Sequence, residues 1–244
     1  MSTEDHKLTL DLGNGVKMEF LRIPAGKFLM GSPDTEKGRF NIEGPQHEVT
    51  ISNPFYMGVH LVTQEQWQAV MGSNPSQPKG EGNQPVCCAN WHDCQNFCEI
   101  LSAKTGHKVR LATEAEREYA GRAGTTTRFS YGDDPDYSQL PEYAWVGSNS
   151  DGDSYPVGTK KPNPWGLYDM YGNMWEWCQD WFHDSYTGAP TDGSSWATLS
   201  GHRVLRGACF YSVGKESRSA SRDWADPGNR CGDVGVRVVV SITP

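Results

Sequence analysis

The segment from Trp165 to Trp181, WGLYDMYGNMWEWCQDW, sets four tryptophans and two tyrosines among Asp169, Asn173, Glu176 and Asp180. Carboxylates and an amide enclosed by so much aromatic area must find hydrogen bonds or a cation, so chemistry is sought there first. The tryptophans keep neither a sustained period of two nor one of three to four, and Gly172 interrupts any helix. The segment therefore reads as irregular chain pinned by its aromatics. Seven cysteines stand at 87, 88, 94, 98, 178, 209 and 231. Cys94 and Cys98 are four apart on a predicted helix, but no CxxC or HxxxH pair completes a zinc site, and small buried thiols with one or two exposed are expected instead. His47, His60, His92, His107, His183 and His202 have no serine in a GxSxG elbow to serve, which argues against a serine hydrolase.

The elements that must position these groups are short and loop-rich. The 244 residues carry 27 glycines, 15 prolines and nine tryptophans, a composition that fits an irregular backbone held by aromatic packing. A formal charge of -8 argues against nucleic acid as a partner. No apolar run is long enough to span a membrane. Val16 to Ile23 alternates as a strand, a second short strand lies within Pro24 to Ser32, and His47 to Ser52 forms a third. Thr63 with Gln66 and Thr113 with Glu116 are capping boxes that open helices, the first burying Trp67 and Val70. Between them Trp91 to Ala103 places Trp91, Cys94, Phe97, Cys98 and Leu101 on one helical face, with Gly106 ending the helix. From Thr125 the chain is turn-forming for roughly forty residues, too long to stand without anchors such as Phe129, Tyr131, Tyr143, Trp145 and Tyr155. Val234 to Ile242 reads as a final strand. No linker divides the chain, so 1–244 is expected to form one domain.

In this order the sequence contains IPAGKFLMGS (Ile23 to Ser32), TQEQW, RLATEAEREYAGRAG (Arg110 to Gly124), PNPWGLYDMYGNMWEW, RVLRG and a late GVR. Together these resemble the formylglycine-generating-enzyme, or sulfatase-modifying-factor, family across nearly the whole chain. The resemblance implies an α+β, C-type-lectin-like fold with little regular secondary structure. Enzymes of that family oxidise a substrate cysteine with copper held by two cysteines, the second five residues after the first. Here the position matching the first is Ser212, and no cysteine replaces the second. A copper(I) centre needs soft thiolates, so the resemblance implies the fold without the catalytic site. Cys209 and Cys231 do not match the pair's spacing. Of the family's disulfides, Cys98 matches one half while its partner position holds Val238.

The C-terminal part also resembles the variable proteins of diversity-generating retroelements, in which a fixed framework carries randomised positions. Here Arg203, Arg206, Arg218, Arg222, Arg230 and Arg237, with Gly207, Pro227, Asn229 and Gly235, read as framework around a variable region, 206–237. Phe210, Tyr211 and Trp224 are the expected aromatic anchors of a binding surface. Cys209, Ser212, Val213, Lys215, Glu216, Ser221, Asp223, Asp226, Cys231 and Asp233 are expected to shape its specificity. The family resemblance further implies a structural calcium held by the Asp169 and Glu176 side chains and by carbonyls of Met170, Gly172 and Met174, a hard-oxygen set suited to that ion. A network of buried carboxylates bonded to amides and arginines is the alternative. A second calcium would fall near Asn149, Asp151 and Asp153.

The expected function is non-enzymatic binding of a protein or cell-surface ligand by a monomer, with no catalytic cofactor. A formylglycine-generating oxidase and a drifted pseudoenzyme are the alternatives, and a carbohydrate-binding lectin rests on fold alone. Met1 to His6 lacks the order of a secretory signal. Location at the cell surface or outside the cell is expected behind a signal or lipoprotein segment lying outside this sequence, with a cytoplasmic location as the alternative.

Overall fold

A computed structural model describes residues 6–242, and the polar start Met1–Asp5 lies outside it. Eleven strands run in chain order as β1 (Lys7–Gly13), β2 (Val16–Ile23), β3 (Gly26–Met30), β4 (His47–Ile51), β5 (Phe55–Gly58), β6 (Val109–Leu111), β7 (Trp175–Trp181), β8 (Arg203–Arg206), β9 (Arg222–Ala225), β10 (Val234–Gly235) and β11 (Val238–Ser241). The helices are α1 (Gln64–Met71), α2 (Trp91–Thr105), α3 (Glu114–Arg122) and α4 (Leu140–Tyr143). An antiparallel sheet ordered β1-β2-β5-β11-β6 joins the two ends of the described chain. A second sheet is ordered β10-β7-β8-β9, and β3 pairs with β4 alone.

Both predicted capping boxes form. Thr63 Oγ1 accepts from Gln66 N at 3.2 Å while Gln66 Oε1 accepts from Thr63 N at 3.0 Å. Thr113 and Glu116 make the same exchange at 3.1 and 2.9 Å. Helix α2 has a third box, Asn90 with Asp93, and buries the predicted face of Trp91, Cys94, Phe97, Cys98 and Leu101. That face joins one apolar cluster with Phe20, Leu111, Val238 and Val240, while Val239 turns to a second cluster with Phe55, Ala115 and Tyr119. Strand β11 is thus buried on both faces, so its near-continuous valines contain no polar alternation.

Two elements depart from the sequence expectation. Val234 to Ile242 is not one strand, because the chain breaks between β10 and β11 where Arg237 turns inward to Glu176. The segment 175–181 is a strand after all, though its register against β8 shifts between Trp177 and Trp181, with Trp175 and Trp177 in the apolar cluster while Glu176 and Asp180 serve α3. Its period of two is hidden because both faces are buried and one of them is ionic.

Every residue of α3 is buried, including Glu114, Glu116, Arg117, Glu118 and Arg122. Asp180 fixes its start, Oδ2 accepting from Glu114 N at 2.7 Å and Oδ1 from Trp196 N at 2.8 Å. An acceptor at a helix N-terminus is favourable. Burial, and secondly the charge of Glu114, nevertheless push the Asp180 carboxyl up to about 7. With an unfolded value near 4, the folded protein holds the extra proton between roughly pH 4 and 7, and this contribution to stability is lost as pH rises through that window. His60, pushed down to about 4 by burial and then by Arg237, acts in the opposite sense but is common to wild type and variant. The unfolding free energy of the wild type relative to Asp180→Asn should therefore fall from pH 4 to 7, with a slope no steeper than about 1.4 kcal/mol per unit, and level off above. Urea titrations at stepped pH measure it, and a flat difference would contradict the assignment.

Candidate ligand-binding cleft

The chain between β8 and β9 is held from below by the aromatic segment. Phe210 N donates to Asn173 O at 3.0 Å, and Gly147 N donates to Ser212 O at the same distance. Gly207 has φ +97°, and a Cβ there would lie 2.6 Å from Arg117 Nη2, so no side chain fits. Across the register pair Arg206↔Arg222, two guanidiniums meet one carboxylate. Arg222 Nε and Nη2 donate to Glu114 at 2.8 and 2.7 Å, and Arg206 Nη1 donates to it at 3.0 Å. Arg218 donates to Glu43 and Glu36, tying the same loop to the chain between β3 and β4.

On this frame sits a cleft of 620 Å³. Nine of the thirteen expected surface residues line it: Tyr211, Ser212, Glu216, Ser221, Asp223, Trp224, Asp226, Cys231 and Asp233. Tyr211 and Trp224 are 56% and 46% exposed, Asp223 and Asp226 are exposed, and Glu216, Cys231 and Asp233 are half-buried. Tyr211 and Asp233 also line a neighbouring cavity of 640 Å³, together with Phe210. The Tyr211 hydroxyl donates to Asp233 Oδ2, so this pair forms part of the wall between the two spaces. Val213 and Lys215 are exposed outside both.

Three expectations for the surface need correction. Cys209 is fully buried in the apolar cluster, where burial raises its thiol to about 11, so it shapes the core and not the specificity. Ser212 and Ser221 are 2% and 3% exposed and belong to the floor of the cleft. Arg230, read as framework, is the exposed member of that set and pairs with Asp93. Sequence reasoning also missed Phe40 and Ile42, which reach the cleft from between β3 and β4, and His202, whose ring lies 4.2 Å from that of Trp224. No local pattern marks them, because their role follows from distant chain crossing.

The implied calcium set does not fit a cation. Both Glu176 oxygens accept from Arg117 and Arg237, at 2.7 to 3.1 Å, and Met170 O accepts from Arg117 Nη2 at 3.0 Å. Two guanidiniums already supply the charge a divalent ion would bring, so the carboxylate–arginine network is what forms. Gly172 serves packing instead, since a Cβ there would lie 2.3 Å from Trp145 O. Asp169 Oδ2 accepts from Gly158 N at 2.9 Å, its Oδ1 is buried without a partner, and burial pushes the carboxyl up to about 6. The copper set fares no better. Ser212 Oγ accepts from Cys209 N at 3.2 Å, and Ser217, five residues on, is a buried hydroxyl without a hydrogen bond. Neither is a thiolate.

An antiparallel and a mixed sheet joined by long loops, with a cleft between β9 and those loops, define a C-type-lectin-like α+β protein of the formylglycine-generating type. The chain belongs to the sulfatase-modifying factor enzyme 1-like domain family, whose model matches residues 14–242. Among solved structures it is similar to PvdO from Pseudomonas aeruginosa, with 33% identity, a TM-score of 0.86 and coverage of 96% of this chain and 98% of that one. Treponema denticola variable protein 1 has the same TM-score and coverage at 30% identity. The serine/threonine-protein kinase pkn1 of Chlamydia caviae is 30% identical over 239 residues, 86% of this chain. The chain spans only 36% of that kinase and 38% of its Chlamydia pneumoniae counterpart. Relatives also include the formylglycine-generating enzyme of Streptomyces coelicolor, 32% identical over 70% of this chain and 59% of its own length. The inactive C-alpha-formylglycine-generating enzyme 2 of Bos taurus is 27% identical over 93% and 90%. The family thus holds members named as active and as inactive.

Frame and surface should separate in stability. Arg222→Ala leaves Glu114 short of its bidentate partner and should cost about 3–5 kcal/mol. Tyr211→Ser, at an exposed position, should cost no more than about 1 kcal/mol. Urea unfolding measures both, and equal losses would mean that the loop is not built as a frame with a separable surface.

Proposed function

We propose that the chain is a non-catalytic ligand-binding protein that displays a diversified surface, within 206–237, on the rigid scaffold of its family. The observation that carries this reading is the cleft itself, in which exposed Tyr211, Trp224, Asp223 and Asp226 stand beside buried Arg222, on chain that buried Arg206 and Arg218 also fasten. Rigid aromatics supply contact area at low entropic cost, and a buried frame lets their neighbours change without unfolding the chain. The similarity to Treponema denticola variable protein 1 over 96% of the chain supports the same reading. Serine at 212 and 217, where the family's oxidases need thiolates, speaks against catalysis. Location at the cell surface or outside the cell goes with a ligand met there, and among the described residues no helix is long and apolar enough to cross a membrane.

Panning a displayed random-peptide library on the protein should yield clones that lose binding to Tyr211→Ser or Trp224→Ala proteins of unchanged melting temperature. A cysteinyl peptide of sulfatase type, given copper and oxygen, should remain unoxidised. Turnover that is lost on Cys209→Ser, or a library without cleft-dependent clones, would overturn the reading.

Diversification makes a second demand. Sequenced across a population, this gene should vary at Tyr211, Val213, Lys215, Asp223, Trp224 and Asp226 while Arg206, Cys209, Arg218 and Arg222 stay fixed. Substitutions spread evenly over buried and exposed positions would fit drift and not directed variation.

A further inference from the structure

The carboxylates of the cleft differ from the buried glutamates around α3 in lacking counter-charges. Glu114, Glu118 and Glu176 each meet at least two guanidiniums. Asp223, Asp226, Asp233 and Glu216 all line the cleft, and among the described residues none of them forms an ion pair. Each spends one oxygen on a bond that brings no cation: Asp223 Oδ1 accepts from Trp224 N, Asp226 Oδ1 from Gly228 N, Glu216 Oε2 from Val213 N and Asp233 Oδ2 from the Tyr211 hydroxyl. Among the described residues the second oxygen of each accepts no hydrogen bond.

Nearby cations do not relieve this charge. Arg222 lines the cleft, but its donors go to Glu114, to Ile42 O at 2.9 Å and to His183 O at 2.8 Å. Lys215 lies over the Phe40 ring, 5.2 Å from its centroid, without an ion pair. Asp223 is held above the usual carboxylate range by burial and then by Glu216 and Asp233, against the lowering bond from Trp224 N. These groups therefore feel one another. Trp224 and Tyr211, both exposed, line the same cleft, and an aromatic ring near carboxylates attracts an ammonium or guanidinium group through both quadrupole and charge. The net charge of -8 would steer such a group inward.

We infer that the cleft takes a basic segment of a peptide or protein partner, a lysine or arginine side chain lying against Trp224 with its cationic head among Asp223, Asp226 and Asp233. This rests on the binding reading above and narrows it to a ligand class. The probes are tetraarginine, tetralysine, tetraserine and tetraglutamate amides, titrated calorimetrically into the full chain. The two basic peptides should bind roughly tenfold or more tighter than tetraserine, and tetraglutamate should not bind. Raising salt from about 50 to 300 mM should weaken the basic peptides severalfold. Asp223→Asn combined with Asp226→Asn should weaken them about fivefold or more with melting unchanged, because both side chains are exposed.

Basic peptides that bind the double variant as well as the wild type would overturn the inference. So would tetraserine or tetraglutamate binding as tightly as tetralysine. If library clones bind through Trp224 and Tyr211 yet carry no lysine or arginine, the cationic class falls while the binding surface stands. If neither basic peptides nor library clones engage the cleft, both readings fall.

Discussion

A nine-residue helix with every side chain buried, five of them ionisable as Glu114, Glu116, Arg117, Glu118 and Arg122, sets the terms for the rest of this molecule. Unpaired, each such charge would cost several kcal/mol of desolvation. The fold answers by bringing opposite charges from distant chain to the helix: Arg206 and Arg222 to Glu114, Arg206 to Glu118, and Glu176, which also meets Arg237, to Arg117. These pairs join residues far apart in sequence, while the Arg122–Glu118 and Arg110–Glu116 bridges are local. The helix therefore cannot be buried until β7, β8, β9 and the start of β11 are in place around it.

The arginines do a second service that lysine could not. With five donors in a fixed fork, each has bonds left after its carboxylate is met, and these go to backbone carbonyls of irregular chain. Arg237 reaches Gly58 O, Val59 O and Tyr168 O, Arg122 reaches Gly31 O and Thr127 O, and Arg218 reaches Gly38 O. Long loops carry carbonyls that no ladder satisfies, and burying them requires such partners. The same residues thus neutralise the helix and fasten the loops, which explains how so much non-repetitive chain can be ordered.

What was legible in the sequence follows from how local each cause is. Capping boxes at Thr63 and Thr113 and the apolar face of 91–103 are contained within a few residues, and they formed as read. The strand 175–181 was misread because its alternation is of aromatic with ionic side chains, both buried, and alternation signals a strand only when one face is wet. The split at Arg237 and the exposure of Arg230 depend on where a carboxylate lies after folding. Cys209 was grouped with the surface because it neighbours Phe210 and Tyr211, yet it points into the core. Phe40, Ile42 and His202 complete the cleft by chain crossings that no spacing records.

The contrast between interior and cleft then has an energetic consequence. Inside, Glu114, Glu118 and Glu176 are each matched by guanidiniums, so moving any member of those pairs costs stability. In the cleft, Glu216 and Asp233 act on Asp223, and none of these groups, nor Asp226, forms an ion pair among the described residues that would tie it to folding. Their desolvation can be offset only by something outside the chain, and removing their mutual repulsion adds to whatever a cationic partner gains from the rings. Interaction energy that folding leaves unused is available to binding, and it lies where substitution is cheapest for the fold.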